Sequence, residues 1–172
     1  MNTLLLRTTH GSRLYGLNHA NSDEDWFEVY GWDKSKSRQK IAGAQDVLRC
    51  SLDSFLWNCN RGVPQFLEAM FSTQCEVNEI PFITEAYRPG LDNTRITYKR
   101  TIKKLWLKGV EEKKIKFRKH AVRMLLNLNT LEKTGRFNPE LTPIEKSVVA
   151  IYCYHDTLDD VEEALDKHPL LV

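Results

Sequence analysis

Two short runs near the start of the chain carry the residue types that do phosphate and metal chemistry. The first is His10-Gly11-Ser12-Arg13-Leu14-Tyr15-Gly16, and the second is Ser22-Asp23-Glu24-Asp25. A glycine-serine pair directly after a strand offers backbone N–H groups and a hydroxyl at a turn, and glycine lets main chain approach an anion closely. Asp23 and Asp25 stand at i and i+2 on a segment that reads as extended, so period-two geometry points both carboxylates the same way. Two hard oxygen donors side by side suit Mg²⁺, which takes one or two carboxylates together with substrate phosphates. Paired ions would stabilise the attacking and the leaving oxygen of an in-line displacement. Either run alone is commonplace, as a surface turn or a solvated acidic loop. Their joint occurrence, in this order with strands on both sides, is the specific signal.

The elements that must position these residues are legible in the pattern. Residues 3–9 read as a buried strand around Leu4-Leu5-Leu6, and 11–22 as a loop with room for one helical turn. Residues 24–30 alternate, with Asp25, Phe27 and Val29 on one side and Trp26, Glu28 and Tyr30 on the other, which predicts a second strand. A polar connection over 31–44 precedes a third strand at Asp46-Val47-Leu48-Arg49-Cys50. Two helices follow, joined at Gly62-Val63-Pro64. After Pro89-Gly90 the chain reads as helical. Phe117, Ala121, Met124, Leu125, Leu128 and Leu131 form an apolar stripe ended by Gly135. Thr142-Pro143-Ile144-Glu145 and Thr157–Asp160 look like helix starts, with Pro169 as a stop. Strands first and helices after predict an α+β fold: a small mixed-sheet core with packed helices over 1–90, then a C-terminal helical region over 91–172.

Composition narrows the classes. The 172 residues can bury a core without staples, and Cys50, Cys59, Cys75 and Cys153 show neither CxxC pairs nor zinc spacing. Isolated thiols fit a reducing cytoplasm. No apolar run is long enough to span a membrane, and the stretch Met1–Arg7 is too short for a secretory signal. Net charge is only +2, yet Lys99 to Lys119 holds ten Lys or Arg against two acids, Glu111 and Glu112. Such a run is either a solvated helix face or a field that attracts phosphates.

The string His10-Gly11-Ser12-x-x-Tyr15-Gly16 with Ser22-Asp23-x-Asp25 resembles the signature of polymerase β-like nucleotidyltransferases, and within them a bacterial and phage branch of predicted nucleotidyltransferases. Asp46-Val47-Leu48, Leu67-Glu68-Ala69-Met70-Phe71, His120, Arg123 and Thr134-Gly135 resemble the same branch. By that resemblance Gly11 and Ser12 hold the triphosphate of an NTP such as ATP. Asp23 and Asp25 bind two Mg²⁺ ions (or Mn²⁺), and a third carboxylate helps to activate an acceptor hydroxyl. Asp46 is the choice for that third acid, with Asp53 and Glu68 as rivals. The implied reaction moves an NMP onto an acceptor hydroxyl and releases pyrophosphate. The basic segment 99–119 tilts the acceptor toward RNA, such as tRNA, over a protein or a small molecule. The alternative is a catalytically silent nucleotide- or nucleic-acid-binding module.

Of the remaining residues, Arg13 either clamps a triphosphate oxygen or is a solvated loop arginine, and Tyr15 either stacks on a base or packs under the loop. His120, Arg123, Asn127 and Thr130 fall on one polar helix face. That face is expected to be solvated, with Arg123 as a candidate triphosphate contact. Trp106 reads as core, and Glu68 as a buried ion-pair partner.

Overall fold

In the computed structural model, which describes residues 3–20, 22–31 and 45–168, the chain is α+β. Strands β1 (Leu4–His10), β2 (Glu24–Tyr30), β3 (Gln45–Ser51) and β4 (Cys75–Asn78) form one sheet in the order β3-β2-β1-β4. β1 pairs antiparallel with β2 and with β4, whereas β2 and β3 run parallel. A parallel pair needs a long connection. The polar segment expected at 31–44 supplies its length, but from residue 32 onward it lies outside the described residues.

Helices α1 (Leu52–Asn60) and α2 (Pro64–Phe71) pack against the first three strands. Ser51 starts α1 by accepting the Ser54 amide at 3.2 Å, and Pro64 opens α2 at its first position, where a missing N–H costs nothing. The short α3 (Pro81–Ala86) leads to α4 (Leu91–Glu111) and α5 (Ile115–Thr134), which lie against each other. Gly135 closes α5 in the left-handed conformation, as its position after the stripe predicts. α6 (Pro143–Tyr152) and α7 (Leu158–Asp166) each begin with a reciprocal capping box, Thr142/Glu145 and Thr157/Asp160.

One face of the sheet faces these helices. Leu6, Phe27, Val29 and Cys50 point into the core, where Phe27 meets Phe66 edge-on at 5.1 Å and Phe55 at 5.7 Å between ring centres. The opposite face carries a row of charge. Arg7, Glu28 and Arg49 are lateral neighbours across three strands, with Arg49 Nε donating to Glu28 Oε2 at 2.7 Å. The core runs without a break across residue 90 into Tyr98, Ile102 and Trp106 of α4 and into α5.

Two features differ from the sequence reading. β4 and α3 were not anticipated, because a four-residue strand alternating Cys75 and Val77 with Glu76 and Asn78 is too short to stand out from its polar surroundings. The polar face of α5 is also not solvated: Arg123 and Asn127 are buried at 3% and 2% exposure. The reason is that α5 contacts α4, α6 and α7, so it has neighbours on nearly every side. No helix among the described residues is long and apolar enough to cross a membrane.

Because Phe27 joins the sheet to both α1 and α2, Phe27→Ala is expected to lower unfolding stability by about 3–5 kcal/mol. Urea denaturation should register this as a lower midpoint with an unchanged slope.

Candidate active site

Across the core face of the sheet, residues paired in register read Leu6/Val29/Cys50, then Thr8/Phe27/Leu48, then His10/Asp25/Asp46. The face is apolar in the middle and turns to chemistry at one end. There a cleft of about 680 Å³ opens between the sheet, the start of α2 and the facing sides of α4 and α5. Asp25 and Asp46 stand side by side in its wall, on parallel strands whose spacing is about 4.8 Å in any sheet. Asp46 is exposed and Asp25 is half-buried.

The turn after β1 packs onto this pair. Gly11 has φ +68°, and a Cβ placed on it would fall 2.3 Å from Asp25 Oδ2. Only glycine lets the main chain adopt that conformation and come so close to the carboxylate. Residues 12–17 form a single helical turn with a Schellman closure: Leu17 N donates to Ser12 O at 2.9 Å, and Gly16 N donates to Arg13 O at 3.0 Å with Gly16 at φ +66°. The first amides of such a turn have no acceptor within the turn, which suits them to a bound anion.

The floor of the cleft is a buried polar cluster. Glu68, on α2, accepts from the Tyr15 hydroxyl through Oε2 and from Arg123 Nη1 through Oε1 at 2.8 Å. Arg123 lies over the Tyr15 ring, 3.7 Å from its centre, and donates to Asn127 Oδ1 at 2.9 Å. Burial works against the Arg123 charge, but Glu68 outweighs it and keeps the guanidinium protonated. Burial likewise pushes the Tyr15 hydroxyl well above its ordinary value. His120 sits edge-on to Tyr15 with ring centres 6.0 Å apart; burial, reinforced by Arg123, lowers its pKa to about 4.

The expected site residues are therefore divided. Gly11, Asp25, Asp46, Glu68 and Arg123 all line the cleft. Ser12 follows Gly11 at the opening of the turn. Asp23 is exposed and precedes β2; pairing with β1 begins only at Asp25, so no neighbouring strand fixes Asp23 toward the cleft. Arg13 is partly exposed and engages the main chain of its own loop. Its Nη2 donates to Ser22 O at 3.2 Å and its Nε to Asp23 O at 3.3 Å, which closes the loop between β1 and β2. Of the rival third acids, Asp53 is exposed in the first turn of α1, and Glu68 is the buried ion-pair partner of Arg123. Asp46 alone of the three is the lateral neighbour of Asp25.

The sequence reading did not single out Trp26, Val63-Pro64, Gln65, Thr101 and Leu105, which complete the walls. They come from three separate segments, and no local pattern marks them as site residues. Two carboxylates with substrate phosphate oxygens meet the usual demands of Mg²⁺. Among the described residues no group of three His, Cys, Asp or Glu side chains gathers to hold a metal, and Asp25 and Asp46 are the two lateral carboxylates of the cleft wall. The thiols are free and not placed for such a role; burial pushes Cys50 up to about 12. Compared with known protein families, with curated proteins and with solved structures, the chain gives no match.

The lowered pKa of the half-buried His120 has a pH consequence. Its pKa is lower in the folded chain than in the unfolded one, near 6.5, so its contribution to stability is complete above pH 6.5 and is lost as pH falls toward 4. NMR titration is expected to show His120 unprotonated at pH 5.5, and His120→Gln should flatten the acid limb of the stability curve in that window.

Proposed function

We propose that the chain is a metal-dependent nucleotidyltransferase of the polymerase β type, moving an NMP from an NTP to an acceptor hydroxyl. The observation that carries this reading is the lateral pair Asp25/Asp46 with the Gly11 turn packed against it, at the mouth of a cleft of nucleotide size. The resemblance of Gly11-Ser12 and Asp23-x-Asp25 to that superfamily agrees with it. On this reading the amides that open the turn at Ser12 hold triphosphate oxygens, and the apolar wall formed by Val63, Pro64 and Leu105 receives the base. Bound Mg²⁺ or Mn²⁺ would neutralise charge on the phosphates and polarise the α-phosphorus. Asp46 takes the proton of the acceptor hydroxyl as its oxygen bonds to the α-phosphorus. The bond between the α-phosphorus and its bridging oxygen to the β-phosphate breaks, and pyrophosphate leaves. Positioning and charge neutralisation, without covalent catalysis, supply the rate.

Lys99, Arg100, Lys103 and Lys104 are exposed along α4, whose Thr101 and Leu105 face the cleft. Several cations together are what a polyanionic strand requires, so RNA is the favoured acceptor. The reducing cytoplasm is the compartment that fits four free thiols. A second reading, a nucleotide-binding module without catalysis, draws on the exposed position of Asp23 outside the cleft wall, which leaves two acids where the family pattern has three.

Incubation with each α-labelled NTP, Mg²⁺ or Mn²⁺ and cellular RNA should transfer label. Asp25→Asn and Asp46→Asn are each expected to cut that transfer at least about a hundredfold, while Asp53→Asn changes it by less than about twofold. Nucleotide binding that persists in both Asn variants and in EDTA, with no transfer by the unaltered chain, would establish the silent module instead.

A further inference from the structure

The cleft floor holds a charged cluster that the chemistry proposed above does not use. Tyr15 is the fourth residue of the His10-Gly11-Ser12 turn counted from Ser12, and its ring and hydroxyl are both engaged: the ring lies under Arg123 and the hydroxyl donates to Glu68. Arg123 is in turn fixed from α5 by Asn127, whose Nδ2 donates to Asn138 O at 2.6 Å beyond the helix end. Side-chain exposure of the ion pair is 4% for Arg123 and 1% for Glu68, so water does not screen it. A buried pair of this kind is a weak source of net stability, since desolvation consumes much of its attraction, but breaking it leaves a buried charge unmatched. Its geometric effect is what stands out. It ties the turn that bears Gly11 to two helices, α2 and α5, from separate parts of the sequence.

We infer that Tyr15, Glu68 and Arg123 are positioning residues, a clamp that holds the Gly11–Gly16 turn in register with Asp25, and that Arg123 acts through Tyr15 rather than by touching triphosphate. The guanidinium face covers the Tyr15 ring, Nη1 serves both Glu68 and Asn127, and Nε is buried without a hydrogen-bond partner, so at 3% exposure the residue is packed beneath the turn rather than extended into the cleft. The turn is also held by Arg13, which closes the loop to β2, and by Leu14, which is buried in the core, but neither ties it to α2 and α5 through the cleft floor. Its own closure rests on two main-chain bonds, Gly16 N to Arg13 O and Leu17 N to Ser12 O, with Gln74 Nε2 reaching Leu14 O at 3.3 Å from outside. A turn free to shift would carry its opening amides away from the carboxylate that Gly11 touches, and small displacements of positioning groups cost large factors in rate.

The clamp as a kinetic device rests on the transferase reading; the clamp as a structural tie does not, and the two are measured separately. Tyr15→Phe is the mild variant, since it keeps the ring beneath Arg123 and removes only the hydroxyl. Arg123→Lys keeps the charge and loses both the fork and the planar cover. Amide hydrogen exchange on the chain without nucleotide is the first measurement. In Tyr15→Phe the Gly16 and Leu17 amides should exchange at least about tenfold faster, while amides in the middle of α4 and α6 stay within about twofold. Unchanged exchange at Gly16 and Leu17, or an equal rise throughout the chain, overturns the clamp whether or not the protein transfers nucleotides. The second measurement is steady-state transfer. Both variants should lower kcat at least about tenfold with the KM for NTP within about threefold. A KM raised more than about tenfold by Arg123→Lys at unchanged kcat, with Tyr15→Phe unaffected, would make Arg123 a direct triphosphate ligand and sink the inference.

Discussion

The parallel pairing of β2 with β3 is the constraint on which the rest of the site depends. Asp25 and Asp46 are separated by the whole connection between their strands, yet the pairing fixes Asp25 opposite Asp46. A one-residue slip of β3 would turn Asp46 to the opposite face and put Gln45 or Val47 beside Asp25. That register is held by burial further along the same strands. Phe27, Val29 and Cys50 must stay on the helix side, and Glu28 must meet Arg7 and Arg49 on the other. Hydrophobic packing in the middle of the sheet therefore sets the placement of two carboxylates at its end.

Bringing two acids together is unfavourable unless something answers their charge. The Gly11 main chain lies directly against Asp25, and the neighbouring cation Arg123 is matched to Glu68. The two carboxylates line the cleft, and beside them the first amides of the turn offer partial positive charge. On the proposed reading, a divalent ion and an anionic substrate would complete the arrangement electrostatically.

The helices after residue 90 belong to the same body as the sheet. Tyr98, Ile102 and Trp106 extend the core, and α5 lends Arg123, His120 and Met124 to the cleft. The turn after β1 is consequently held from both halves of the sequence. The basic outer face of α4 remains exposed and available to a partner, while its inner face forms a wall.

Much of this was legible in the residues themselves, for a local reason. Alternation in Asp25-Trp26-Phe27-Glu28-Val29, the caps at Thr142 and Thr157, the stop at Gly135 and the Gly-Ser turn are each decided within a few residues by sterics and hydrogen bonding, so the α+β order and the turn at Gly11 follow from sequence. That Asp46, rather than Asp53 or Glu68, stands beside Asp25 was not decided there, because it turns on strand register. The fates of Arg13, Asp23, Arg123 and Asn127 were not legible at all. An arginine reads alike whether it closes a loop, meets a phosphate or lies buried on a tyrosine, and long-range packing alone decides which partner its charge finds.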